Sequence, residues 1–293
     1  MTEFRHLTRR DFMRDGALGA LALGAGIALP RHASAADAKS LVAIVRDERV
    51  QSDQNTVDPA ALKKMLDETV KIATGESTGA AGWKKLVKPD DVVGLVSTNH
   101  LNKTHPEVVE AVREALLAAG VPADNVRAVQ GKTAEAETCT ALIALPALKA
   151  HWFTGIGTVL KNYITFSGKA STYHNAGSVN LGEIWLLPVV KGKTRLVIVD
   201  ALRPLFAQGP QVNPQYLWNY NGLIAGADPI AVETLALRII QAKRHAFRNE
   251  PWELTPPPLC VAAADEKFHL GTSDPAKIDI KTAGWEKDLL VQA

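Results

Sequence analysis

The chain has 293 residues, 46% of them hydrophobic and 22% charged, with 33 Lys and Arg against 31 Asp and Glu. This composition supplies a sizeable core and no clustered basic excess, which argues against a nucleic-acid-binding surface. Two cysteines with no CxxC pair exclude an iron–sulfur cluster or a thiolate zinc site built from this chain alone.

The N-terminus reads LTRRDFMRDGALGALALGAGIALPRHASAADA. Thr8-Arg9-Arg10-Asp11-Phe12-Met13 matches the twin-arginine export pattern ahead of an apolar run, Ala17 to Leu29. That run is too short and too weakly apolar for a comfortable membrane span, and Ala33-Ser34-Ala35 suits a signal peptidase. Residues 1–35 are therefore expected to be a cleavable signal, handled by the twin-arginine translocase, that leaves a periplasmic protein with no stable membrane span. A short anchor is the alternative. Taking the segment's five Arg and three acids from the totals leaves 28 basic and 28 acidic residues in 36–293, a formally neutral single domain. This route exports folded proteins, often with a cofactor inserted, which raises the odds of a bound group without naming one. Cys139 fits a buried free thiol, and spacing leaves a disulfide with Cys260 open.

After the signal, strand and helix patterns alternate. SLVAIVR (40–46) predicts a strand, and 58–75 predicts a helix capped by Asp58, with Pro59 in its first turn and Gly75 at its end. A buried strand is expected within 89–99. The apolar spacing of Val108, Val109, Val112, Leu116 and Ala119 predicts a helix over 105–120. Strands are expected at 125–130, 140–146, 194–202, 222–228 and 277–282, and helices at 158–166 and 228–244. Segments 201–221 and 245–276, rich in Pro, Gly, Asn and aromatics, read as ordered surface loops. The sum is an α/β fold, a mostly parallel sheet with helices on both faces and a loop-rich C-terminal part.

Ligands of parallel sheets gather at the carboxyl ends of the strands. There the sequence places Asn99, His100, Lys103 and His105 after one strand, Lys149 and His151 after another, and Asp200 and Asp228 after two more. Four of the eight histidines lie between 100 and 174. Gly155-Ile156-Gly157 precedes the helical pattern at 158–166, so its backbone N–H groups are expected to cradle an anion, with Asn162 orienting it and Lys149 and Lys161 adding positive charge. His151 suits a proton shuttle. His100, His105, His151 and His174 are candidate metal ligands converging from different loops. A tight turn with solvated lysines fits the same spacing. Asp228 before Pro229 reads as a helix cap, and Asp200 as either a loop-fixing acceptor or a site carboxylate.

Several stretches resemble the domain of unknown function 362 family: Thr104 to Val112, Leu145-Pro146-Ala147-Leu148-Lys149-Ala150-His151, Gly155 through Lys161-Asn162, His174, Val199-Asp200, Gly209-Pro210 and Gly222 to Val232. Together they span about 89–240. The resemblance implies an α/β fold with a common site near Lys149, His151, Lys161 and Asn162, and no particular reaction. Many relatives carry a ferredoxin-like cluster domain that this chain lacks, which removes the ground for borrowing an electron-transfer role. A weaker similarity in layout is to the nickel-pincer lactate racemases.

The expected function is an exported enzyme acting on a small anionic substrate by redox or proton-transfer chemistry. His151, Lys149 and Lys161 are its candidate catalytic groups, and a metal or anionic organic cofactor is its expected helper. The alternative is a periplasmic protein that binds a small molecule or metal without turnover. A purely structural role fits less well, because the polar residues concentrate at strand ends.

Overall fold

The computed structural model describes residues 39–174 and 178–291, so the export signal expected at 1–35 lies outside the described residues. The chain enters through β1 (Ser40–Arg46), a buried apolar run. Helix α1 (Pro59–Thr74) begins where the Asp58 carboxylate accepts the Ala60 and Ala61 N–H groups, and ends at Gly75 with φ 69°. Helix α2 (Gly79–Leu86) follows at once. Two glycines weaken its sequence, GAAGWKKL, as a lone helix, and packing on α1 offsets them. A Cβ on Gly82 would come within 2.6 Å of Thr74 Oγ1 and 2.9 Å of Val70 Cγ1, so the glycines let α2 press on α1.

Next come β2 (Val93–Ser97), α3 (Pro106–Ala118), β3 (Val126–Ala128), the short α4 (Thr133–Glu137) and β4 (Ala141–Leu145). Then come β5 (Ala147–His151), β6 (Gly155–Ile156), α5 (Gly182–Trp185), β7 (Thr194–Leu205), β8 (Gly222–Gly226), α6 (Pro229–Arg248), α7 (Leu259–Glu266) and β9 (Ile278–Gly284).

The main path of the sheet runs β3-β2-β4-β7-β8-β1-β9. Neighbours are parallel except β8, which is antiparallel to both β7 and β1. Side chains alternate between two cores. Val42, Ile44, Leu142, Ala144, Val197 and Val199 pack with α6, α7 and the 159–166 segment. Ala43, Val45, Ile143, Leu145, Leu196 and Ile198 pack with Leu62, Leu66, Trp83, Val112 and Leu116 of α1, α2 and α3. Each fully buried Val, Leu or Ile contributes about 1.5–3 kcal/mol, so the strands hold mainly through these two faces. The expected α/β class, mostly parallel with helices on both faces, is what the structure has.

Four local expectations differ. Lys149 and His151 sit on a strand, not in a loop: β5 continues past Pro146 and pairs with the far half of β7. Residues 158–166 form turns and one 3-10 turn, Ile164–Ser167, instead of an α-helix. There the buried Glu233 carboxylate takes the Val159 and Leu160 N–H groups, at 2.7 and 3.3 Å. Strand β7 runs on to Leu205 through part of the expected loop 201–221. The expected loop 245–276 contains the end of α6 and all of α7. Cys139 and Cys260 are both buried free thiols. Arg46 closes the end of β1. Its guanidinium lies 4.1 Å from the Tyr220 ring and 4.4 Å from the Trp285 ring, and donates to the carbonyls of Tyr220 and Lys287. Among the described residues, no helix is long and apolar enough to cross a membrane.

Candidate functional site at the carboxyl edge of the sheet

After β2 the chain moves outward to β3, then returns across β2 to β4 on the other side. Such a reversal opens a crevice at the carboxyl ends of the strands. A cavity of about 410 Å³ lies there, lined by the end of β2, by Gly131 after β3, and by Lys149, His151 and Lys161.

The loop after β2 is fixed by short polar contacts. Thr104 Oγ1 donates to Leu145 O at 2.6 Å, and Ala147 N–H donates to Thr98 Oγ1 at 3.2 Å. Asp200 proves to be the loop-fixing acceptor. Its Oδ2 accepts the His105 N–H and Nδ1–H, each at 2.7 Å, and its Oδ1 accepts the Leu202 N–H at 3.1 Å. Burial lowers the His105 pKa, but the hydrogen bond and charge of Asp200 outweigh it, and the net shift is upward. A raised folded pKa gives stability that is complete below the ordinary value of 6.5 and is lost as pH rises through the folded value. His105→Asn is therefore expected to remove a fall in stability that sets in above pH 6.5, read by denaturant titration from neutral to alkaline pH.

Strand β5 turns into β6 as a short antiparallel hairpin in which His151 pairs with Gly155. Gly155 has φ 74°, and a Cβ there would lie 2.7 Å from Pro256 O. At Gly157 a Cβ would come within 3.0 Å of His151 Cβ and 3.1 Å of its Cδ2. The two glycines thus make the hairpin and seat the His151 ring. They do not begin a helix, which corrects the expected anion cradle at a helix N-terminus. Thr158 Oγ1 bonds both the N–H and the carbonyl of Lys149, at 3.2 and 3.4 Å.

Lys149 is only 4% exposed, and its Nζ donates to Asn102 O at 3.0 Å. Burial lowers its pKa to about 7, against a smaller upward pull from Asp200. Lys161 Nζ lies 2.5 Å from His151 Nε2 and 2.6 Å from His174 Nε2. Burial, then the charge of Lys149, lowers its pKa to about 7 as well. The two imidazoles stack with centroids 5.6 Å apart and planes 4° from parallel. Burial and the neighbouring cations push His151 down to about 2, and burial and Lys161 lower His174. Phe153 N–H donates to His151 Nδ1 at 3.1 Å. A neutral His151 therefore carries its proton on Nε2. The contact from Nε2–H to Lys161 is a hydrogen bond only if Nζ offers a lone pair, which means a neutral amine. That amine then donates to His174 Nε2.

Of the residues singled out in the sequence, Lys149, His151, Lys161, Gly157, Asn162, Asn99, His100 and His174 all line this cavity. Gly155 faces a neighbouring cavity of about 640 Å³ on the other side of His151 and Trp152. Lys103 is exposed, and His105 is held by Asp200. Asn162 Nδ2 donates to Val96 O at 2.8 Å, while its buried Oδ1 has no partner. Of the four candidate metal ligands, only His151 and His174 come together around Lys161. Among the described residues, no group of three or more His, Cys, Asp or Glu side chains is placed to hold a metal. The His151 tautomer also puts a proton where a metal at Nε2 would need the lone pair.

Glu233 is fully buried, and burial raises its pKa to about 7, opposed by its two backbone hydrogen bonds. Its side chain fixes the turn that delivers Lys161. A lone acid inside the apolar run Ile230–Leu235 was its only signal in the sequence. Trp152 and Phe153, each half-exposed, stand at the hairpin tip, with the Phe153 ring 5.2 Å from His174.

These features define an α/β protein with a lysine–histidine cavity at the carboxyl edge of a mostly parallel sheet. Residues 129–238 match a family model described as "Domain of unknown function (DUF362)", which supports the resemblance to that family over this segment. The matched stretch includes Lys149, His151, Lys161, His174, Asp200 and Glu233, and leaves out Asn99, His100, Lys103 and His105. No curated protein and no solved structure matches the chain.

Proposed function

We propose that this chain is an enzyme that binds a small anionic substrate in the 410 Å³ cavity and moves a proton at a carbon next to its carboxylate, with Lys161 as the base. The observation that carries this is the Lys161 amine held between two imidazole Nε2 atoms at 2.5 and 2.6 Å in the wall of the cavity. A base working near neutral pH needs a pKa near 7, and burial beside Lys149 supplies that for Lys161. The buried Lys149 ammonium, hydrogen-bonded to a carbonyl, gains a counter-charge when a carboxylate enters. The N-terminal signal pattern supports a periplasmic location after twin-arginine export, and cell fractionation of the full chain tests that part.

The chemical reading is tested by acetylating the protein across a pH series and mapping each lysine by mass spectrometry. Lys161 is expected to titrate with a midpoint near 7, well below the ordinary lysine value of 10.5. Added pyruvate or lactate should raise the Lys161 midpoint, because nearby negative charge favours the ammonium. Hydrogen–deuterium exchange at carbon in the same two acids then separates turnover from binding alone. A Lys161 midpoint near 10.5 and no exchange would defeat the proposal.

A further inference from the structure

The lone pair of Lys161 faces a donor, His151 Nε2–H, while its own N–H faces an acceptor, His174 Nε2. For a base, one such contact is enough. Two of opposite sense do more: they hold the nitrogen neutral, one presenting a hydrogen-bond donor and the other standing ready to accept a proton at a single atom. That is what addition of an amine to a carbonyl needs. The cavity walls are mostly apolar, its mouth carries Trp152 and Phe153, and its buried cation is Lys149. A ligand that satisfies all three has a carboxylate, a carbonyl and a small apolar remainder.

We propose that Lys161 is a covalent nucleophile, condensing with the carbonyl carbon of a small oxo acid whose carboxylate is neutralised by Lys149. This rests on the reading of the cavity given above and deepens it. The Nζ lone pair forms the C–N bond, and the carbonyl π pair moves to oxygen. His174 Nε2 accepts a proton from the new ammonium nitrogen. His174 passes that proton to the oxyanion, which His151 Nε2–H, released from the lone pair it had faced, steadies by a hydrogen bond while keeping its own proton. The second nitrogen proton takes the same route through His174 to the carbinolamine hydroxyl, which leaves as water as the nitrogen lone pair forms C=N. Amine and carbonyl give imine and water, with no oxidant or reductant consumed. Once protonated, the imine is an electron sink that acidifies the adjacent carbon. On the covalent adduct the proton moves instead at the carbon on the far side of the imine from the carboxylate, and with Lys161 bonded to the substrate His174 replaces it as the group placed to carry the proton.

The full chain is incubated at neutral pH with pyruvate, with phenylpyruvate and, separately, with acetone, each with sodium cyanoborohydride, and every lysine is mapped by mass spectrometry. The expected result is the mass of the oxo acid less one oxygen on Lys161, at least ten-fold above any exposed lysine, with acetone labelling weaker. Oxo-acid labelling spread over exposed lysines with Lys161 unmodified overturns the proposal, and equal labelling by acetone overturns the role of Lys149. The acetylation titration separates the two readings. A near-neutral Lys161 midpoint that pyruvate raises, with no adduct, sinks the imine and leaves the anion site standing. A midpoint near 10.5 with no adduct removes both.

Discussion

Replacing Lys149 with methionine is expected to raise the stability of the ligand-free protein while abolishing its affinity for small carboxylates. The Lys149 side chain is buried in strand β5, and Asp200, the nearby carboxylate that pulls its pKa upward, already serves His105 and Leu202. A folded pKa of about 7 against an ordinary 10.5 means that between those values the unfolded chain holds a proton the native chain has lost. The lysine's contribution to stability is therefore complete only above pH 10.5 and falls away as pH drops toward 7. Methionine keeps most of the buried stem and has nothing to desolvate. Swaps of buried charge for apolar side chains of similar size have stabilised proteins by about 1–4 kcal/mol, and a gain in that range is expected near neutral pH. Urea titrations at several pH values should show the slope between pH 7 and 10.5 reduced, not erased, because Lys161 shifts in the same direction. The Lys161 midpoint should also rise in this variant, since the charge of Lys149 is one of the two causes that depress it. A variant less stable than the parent at pH 7 would mean that the ammonium has a partner strong enough to offset its burial.

Replacing Glu233 with alanine is expected to cost about 2–4 kcal/mol and to spoil Lys161 without touching it. The carboxylate is the acceptor for two N–H groups in the turn at 159–160, one residue before the lysine. Removing it leaves both donors without a partner in the buried core and opens a void beneath α6. Glutamine is the informative companion: its one carbonyl oxygen serves one donor while its NH₂ faces the other, so it should fall between the two. Glutamate with a folded pKa near 7 contributes stability that is full below 4.5 and is lost as pH rises through 7. The glutamine variant should thus recover part of its deficit at alkaline pH. The alanine variant should also lose selective acetylation of Lys161 at neutral pH, a readout that a merely weakened core would not move. Unchanged selectivity would show that the turn holds its shape without Glu233.

The sheet and its main helices were legible because each carries a local signal that tertiary packing does not contradict. Asp58 with Pro59 and Gly75, and Asp228 with Pro229, are caps whose chemistry is complete within a few residues. The candidate site was half legible. Lysine and histidine after an apolar run looked like a loop, since charged residues rarely go inside. Here β5 buries them, because β7 continues far enough to pair with it. The Gly-x-Gly was visible, but its purpose was not: whether a glycine admits an anion or an imidazole ring depends on what packs opposite, and His151 does. Residues 158–166 had helical spacing, yet their first free N–H groups are claimed by a carboxylate more than seventy residues away. Helix α2 was missed for the converse reason, as glycines that weaken a lone helix permit a close one.

The placement of β1 also bears on how the chain folds. Among the described residues the first strand, β1, is paired on one side by β8 and on the other by the last, β9, and Arg46 is clamped by Tyr220, Trp285 and Lys287, all far along the chain. During synthesis β1 is an apolar ribbon with two open edges until the chain through β9 has emerged. Contacts so distant in sequence are slow to form, and until they do the ribbon is open to pairing with other chains. A chain that stops short of β9 keeps one of those edges permanently, and its expected fate is aggregation rather than a smaller native fold.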